Sequence, residues 1–272
     1  MKRILLAALV GAAAALGAGC ADGSAEIKVT RNGSGTISLR LVSPRDAQQR
    51  VRQVAELLRR FGFEDTGLMG QLSGGGGDQP FASREGMAAF GRQLGPQVRM
   101  TDYRRITQGA ADEGIAAEYA FPDIRGVRWR PAADPAQARN ASGLAFDFAR
   151  GTGGCLLKVI PLVHAKRRAA AANAPGLLQM PGADTVLENF LSGLRMRLTL
   201  RVEGTILRTN AQQKPTASTV TLALLEAARM RSEDFPHLLA VREFDDAVEL
   251  QRQRTPGIFL QNPAEPLVVL FK

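Results

Sequence analysis

Apolar positions along the chain recur with two periods. Residues 26–42 read EIKVTRNGSGTISLRLV, in which Ile27 and Val29 alternate with polar neighbours, as do Ile37, Leu39 and Leu41. Between the runs lies Asn32-Gly33, a strong hairpin signal because both residues tolerate the positive φ of a tight turn. The period then changes. Ser43 can cap a helix, Pro44 suits its first position, and Asp46 falls in its first turn. Ala47, Val51, Val54, Leu58 and Phe61 follow at steps of four and three and make one apolar face. Arg52 and Arg59 fall on the other side, and Gly62 ends the pattern. The spacing predicts a hairpin leading into an amphipathic helix.

Further strands are predicted over residues 98–108, 114–121, 143–148 and 155–162. Residues 121–129, FPDIRGVRW, read as a turn or short helical piece. The most regular alternation is LRMRLTLRV, residues 194–202. Leu194, Met196, Leu198, Leu200 and Val202 share one face, while Arg195, Arg197, Thr199 and Arg201 share the other. One face therefore packs and one is wet. Residues 205–209 continue after Gly204 through a bulge, 218–224 return, and 266–271, PLVVLF, form a buried closing strand. Helices are expected near 225–231 and over 243–253. Short strand-to-strand joins favour antiparallel pairing. The fold class expected is α+β: a mainly antiparallel sheet with amphipathic helices on one face, compatible with a helix-grip layout. In that layout Val51, Val54, Leu58 and Phe61 of the helix, with Leu198 and Leu200 of the strand, line an apolar cavity.

Loops separate these elements. Residues 67–80 contain GGGGDQP, whose four glycines disfavour any regular element. No Lys-Ser or Lys-Thr follows, so this is not a phosphate loop. Residues 131–139 read as a surface loop and 164–182 as a flexible, basic, low-complexity one. The domain is expected to span residues 26–272, with a subdivision near 183 left open.

The N-terminus changes where the domain should be found. Lys2 and Arg3 precede an uncharged apolar run from Ile4 to Leu16; Gly17, Ala18 and Gly19 are small, and Cys20 follows. This is the layout of a secretory signal peptide, here residues 1–19. The run is shorter than the roughly 20 residues of a spanning helix. Small residues directly before a cysteine resemble the lipobox of bacterial lipoproteins, with the usual leucine displaced by one place to Leu16. That resemblance implies cleavage before Cys20 and acylation of its thiol. Residues 20–25 would then be a short tether. Ala21, where an aspartate would alter sorting, implies the outer membrane, facing the periplasm, in a host with two membranes.

Composition adds little chemistry. The apolar fraction is 45%, which suits a packed core, and the formal charge is +9, of which Lys2 and Arg3 leave with a signal peptide. For a basic chain outside the cytoplasm anionic headgroups are a more natural partner than nucleic acid, but simple solubility of an arginine-rich composition is the favoured reading of the charge. With Cys20 acylated, Cys155 has no disulfide partner and reads as a small buried residue. His164 and His237 have no ligand-type partners at metal-binding spacing. Asp245-Asp246 and Glu233-Asp234 fall at helix starts, where acids offset the dipole. Neither a metal, a cofactor nor a catalytic role is expected.

The runs RLTLRVEGTILRTNA and STVTL carry a second resemblance. Val202, Gly204, Asn210, Ala211 and Thr219 to Thr221 match in order the core of bacterial lipoproteins related to mycobacterial LppM. The NGSGT hairpin and the helix after it are also similar. Leu222 stands where those relatives often carry an aromatic. The resemblance implies an α+β domain like the helix-grip lipid carriers, handling envelope lipids, and supplies no site residue. The expected function is thus a non-catalytic lipoprotein of the cell envelope, held to a membrane through its N-terminal lipid and binding a phospholipid or glycolipid. The alternative is a scaffold that binds a protein partner of an envelope complex.

Overall fold

Period-two alternation becomes strand almost wherever it occurs. The computed structural model describes residues 22–44, 83–108, 112–129, 143–162, 193–213, 215–231, 255–261 and 265–272. A seven-stranded sheet is formed by β1 (Asp22–Val29), β2 (Gly35–Pro44), β3 (Arg99–Gln108), β4 (Asp112–Phe121), β8 (Arg195–Val202), β10 (Thr219–Glu226) and β11 (Ile258–Leu260), in the order β11-β10-β8-β1-β2-β4-β3. A five-stranded sheet is formed by β5 (Arg128–Trp129), β6 (Gly143–Gly151), β7 (Gly154–Leu162), β9 (Ile206–Thr209) and β12 (Leu267–Phe271), in the order β5-β6-β7-β12-β9. Pairing is antiparallel except between β1 and β8.

The expected class, α+β with helices covering a sheet face, is not what the chain adopts: the described fold is mostly β. Both sheets present an apolar face, and these faces share one core. Ile27, Leu200, Ile37 and Tyr119 come from the larger sheet; Leu157, Leu267, Val269 and Phe271 come from the smaller. Sheet covers sheet, so the strand faces do not need helices to bury them. Among the described residues one α-helix is present, α1 (Arg84–Leu94), and the periodicity reading passes over it. Its signals are nonetheless in the sequence. Ser83 caps it, its hydroxyl accepting from the Gly86 N–H at 3.0 Å, and Met87, Phe90, Gly91 and Leu94 form its buried stripe. Phe90 packs edge-on against Tyr119 of β4 and Trp129 of β5, so α1 joins the two sheets at one margin.

Four local expectations also change. Residues 22–25 are strand rather than tether, because β1 pairs along its whole length with β2 and β8, burying Gly23 and Ala25. Pro44 ends β2 instead of opening a helix. Gly204, at φ +102°, turns the chain out of one sheet and into the other, so β9 is not a continuation of β8 past a bulge. Leu225 and Glu226 still pair with β8, leaving only a 3-10 turn at Ala227–Arg229 where a helix is expected. The helix face of Val51, Val54, Leu58 and Phe61 lies outside the described residues. So do Cys20, the loops at 67–80, 131–139 and 164–182, the helix over 243–253, both histidines and the two acidic pairs.

The hairpin between β1 and β2 turns on Asn32-Gly33. The Asn32 side-chain oxygen accepts from the Ser34 N–H at 2.9 Å. The hairpin also ties the sheets together, since the Cys155 thiol of β7 donates to the Arg31 carbonyl at 3.3 Å. Cys155 is buried, as its apolar setting predicts.

Candidate functional site

The face of the seven-stranded sheet turned away from the core carries the charged residues, and its register sorts them by sign. Strand pairing places Thr221, Thr199, Glu26, Ser38, Glu118 and Asp102 in one row across β10, β8, β1, β2, β4 and β3. Two residues along the strands in one direction, the row reads Arg197, Ser24, Arg40, Ala116 and Arg104. Two residues in the other direction, it reads Arg201, Lys28, Thr36, Ala120 and Arg99. A central acidic row is thus flanked by two basic rows, each about 7 Å away by the rise of a strand.

A bulge brings β3 into this alignment. The register of β3 against β4 shifts between Met100 and Asp102, so Thr101 is the extra residue. Its hydroxyl donates to the Glu118 carbonyl at 3.1 Å. The shift lets Arg99, Asp102 and Arg104 all meet outward-facing partners on β4. The rows also interact within the face. Arg201 lies 3.8 Å from Glu26, an ion pair with both side chains well exposed. Thr199 donates its hydroxyl to the Ala25 carbonyl at 3.3 Å.

The middle of this face forms an open depression of about 500 Å³. By the strand register, Arg40, Arg104 and Arg197 line one side with Ser24 in their row, and Glu26, Asp102 and Glu118 line the other with Ser38 and Thr199 in theirs. The arrangement supplies fixed charges of both signs and hydroxyl groups, which suits recognition of a polar ligand. Among the described residues no group of three or more His, Cys, Asp or Glu is placed to hold a metal ion. Also among them, no helix is long and apolar enough to cross a membrane.

Leu198 and Leu200, expected beside a cavity, are buried in the shared core. The structure does not bring them together with the outer-face charges, which lie on the other side of the same strand. Arg195, Arg197 and Arg201 are exposed, as the alternation predicts. Sequence reasoning misses Glu26, Arg40, Asp102, Arg104 and Glu118 as members of one site. Each is a polar position on a predicted strand, but the register that aligns them depends on pairing across distant segments and, for Asp102 and Arg104, on a bulge that interrupts the alternation.

No family model matches the chain, and no curated protein matches it. Among solved structures it is similar to the folded domain of LppM from Mycobacterium tuberculosis, determined by NMR. The identity is 10% and the TM-score 0.27, over 76% of this chain and 83% of that one. That likeness is weak and distant, and too slight to carry an argument about fold or function.

Proposed function

We propose that the chain is a non-catalytic lipoprotein of the bacterial cell envelope, acylated at Cys20, whose β domain binds lipid headgroups at the membrane surface. The supporting observation is the start of β1. Asp22 is already strand, paired with Val42 on one side and Arg195 on the other, only two residues beyond Cys20. Acyl chains on Cys20 would therefore hang from an inner strand of the larger sheet, with almost no slack. A domain held that closely stands with the Asp22 end of the sheet at the bilayer. The basic row of Arg40, Arg104 and Arg197 lies one step further along the strands, within reach of headgroup phosphates.

Metabolic labelling with an alkyne palmitate tests the anchor. Label should enter the wild-type chain and be lost in Cys20→Ser, which should also remain at precursor mass. Label that persists in Cys20→Ser would refute acylation at that residue. One observation favours the second reading, a scaffold for an envelope complex. Leu207 stands 53% exposed on β9, the last strand of the five-stranded sheet as described, where a partner's strand could pair. A stoichiometric protein partner captured by crosslinking at position 207, with no lipid bound, would favour that reading.

A further inference from the structure

The sign pattern of the outer face makes a demand that the anchored reading does not. A ligand carrying only negative charge could use Arg40, Arg104 and Arg197 but would meet Glu26, Asp102 and Glu118 beside them. A purely cationic ligand would meet the opposite conflict. Both rows border the same depression of about 500 Å³, so a ligand placed there faces both. We propose that this depression binds a zwitterionic phosphate ester, its phosphate on the arginine row and its ammonium on the carboxylate row. A two-carbon bridge, as in phosphoethanolamine, separates its charges by less than the roughly 7 Å between adjacent rows, a span that long arginine and glutamate side chains can bridge.

The chemistry at each end follows from the side chains. Guanidinium groups meet phosphate oxygens with paired N–H donors, which gives direction as well as charge. Carboxylates accept the N–H bonds of a primary ammonium, and the hydroxyls of Ser24, in the arginine row, and Ser38, in the carboxylate row, can serve the ester oxygens. The Thr199 hydroxyl is already committed to the Ala25 carbonyl and has only acceptor capacity left. The rows already pair in part, as Arg201 does with Glu26, so the ligand replaces ion pairs on an exposed face rather than filling an uncompensated site. Affinity is therefore modest and falls with salt. This inference rests on the face alone and stands or falls apart from acylation at Cys20.

The test is calorimetric titration of the full chain at low salt with O-phosphoethanolamine, inorganic phosphate, ethanolamine and soluble dihexanoyl phosphatidylethanolamine. Phosphoethanolamine should bind at least about tenfold more tightly than phosphate or ethanolamine alone, the loss expected on deleting one charge-assisted contact. Binding of the short-chain lipid as well assigns the ligand to a headgroup; binding of the free ester alone assigns it to a soluble compound. Either outcome supports the proposal. Arg104→Ala should weaken phosphoethanolamine and phosphate together. Glu118→Gln should weaken phosphoethanolamine while leaving phosphate equal or tighter. Both positions are exposed, so unchanged thermal midpoints will show that the variants fold. Equal affinity for phosphate and phosphoethanolamine, no binding of either zwitterion, or insensitivity to both substitutions would overturn the proposal.

Discussion

The phenol of Tyr119, on β4, donates to the main-chain carbonyl of Met87, on α1, at 2.9 Å. Tyr119 is fully buried, and the helix passes so close that a Cβ at Gly91 would lie 2.7 Å from its ring. The contact fixes the one described helix to the larger sheet. Tyr119→Phe keeps the ring and leaves the Met87 carbonyl without that donor, so it should cost about 1–2 kcal/mol in denaturant unfolding. Burial also raises the Tyr119 phenol pKa well above its usual value. The chain has two tyrosines. In an alkaline titration followed by absorbance, Tyr119 should ionise only with unfolding, and Tyr119→Phe should remove that step.

Gly204→Ala tests the passage between sheets. At φ +102° an L side chain is strained, and its Cβ would sit 2.2 Å from the Lys272 carbonyl oxygen. That carbonyl accepts from the Thr205 N–H at 3.0 Å, and Lys272 N–H donates back to Thr205 at 3.0 Å. The substitution must break this pair or move the C-terminus. A loss of more than about 2 kcal/mol is expected, and a thermal midpoint equal to wild type would show that the corner relaxes freely.

Leu198→Ala tests whether the strand face is packed core. Leu198 is 3% exposed and belongs to the cluster shared by both sheets. Truncation there should cost about 2–5 kcal/mol by equilibrium denaturation. A loss under about 1 kcal/mol would mean that ligand or solvent already fills the space beside it, as the cavity expectation requires.

Asp123 and Arg125 make an exposed pair beside the 3-10 turn Ile124–Gly126, with the carboxylate also accepting from the Arg125 N–H at 2.9 Å. The side-chain hydrogen bond from Arg125, helped by its charge, holds the Asp123 carboxyl below its ordinary range despite some opposing desolvation. The folded state therefore binds this proton less readily than the unfolded chain. The pair's contribution is complete at neutral pH, declines below about pH 4 and is gone once pH passes the depressed value. Asp123→Asn keeps the acceptor and removes the charge. Its thermal midpoint should fall slightly below wild type at pH 7, and the two midpoints should converge in acid.

Reversing Arg195 should matter little. It lies 3.3 Å from Glu226, with its own side chain half exposed, and Arg229 meets the same carboxylate at 2.8 Å. Because Arg229 can continue to neutralise Glu226, Arg195→Glu should cost less than about 1 kcal/mol. A drop of several degrees in thermal midpoint would instead mark Arg195 as a packing residue.

What the sequence determined by itself was local. Alternation in LRMRLTLRV is enough to decide which side of β8 is buried, because side chains on a strand point to opposite faces with period two. Asn32-Gly33 specifies its turn, and PLVVLF its buried strand, for equally local reasons. Tertiary structure alone decided what covers each face and which polar residues meet. Nothing near residues 194–202 in the chain says that β1 runs parallel beside them, or that β9 leaves for the other sheet. The helix 84–94 is short, and its stripe includes glycine, so its signal is weaker than that of its alternating neighbours. The charged rows show the limit most directly. Glu26, Glu118 and Asp102 come from three segments: pairing through Ser38 aligns the first two, and a single bulge residue, Thr101, brings Asp102 opposite Glu118. A one-residue slip would send every side chain of a strand to the opposite face, and register is fixed only when the strands pair.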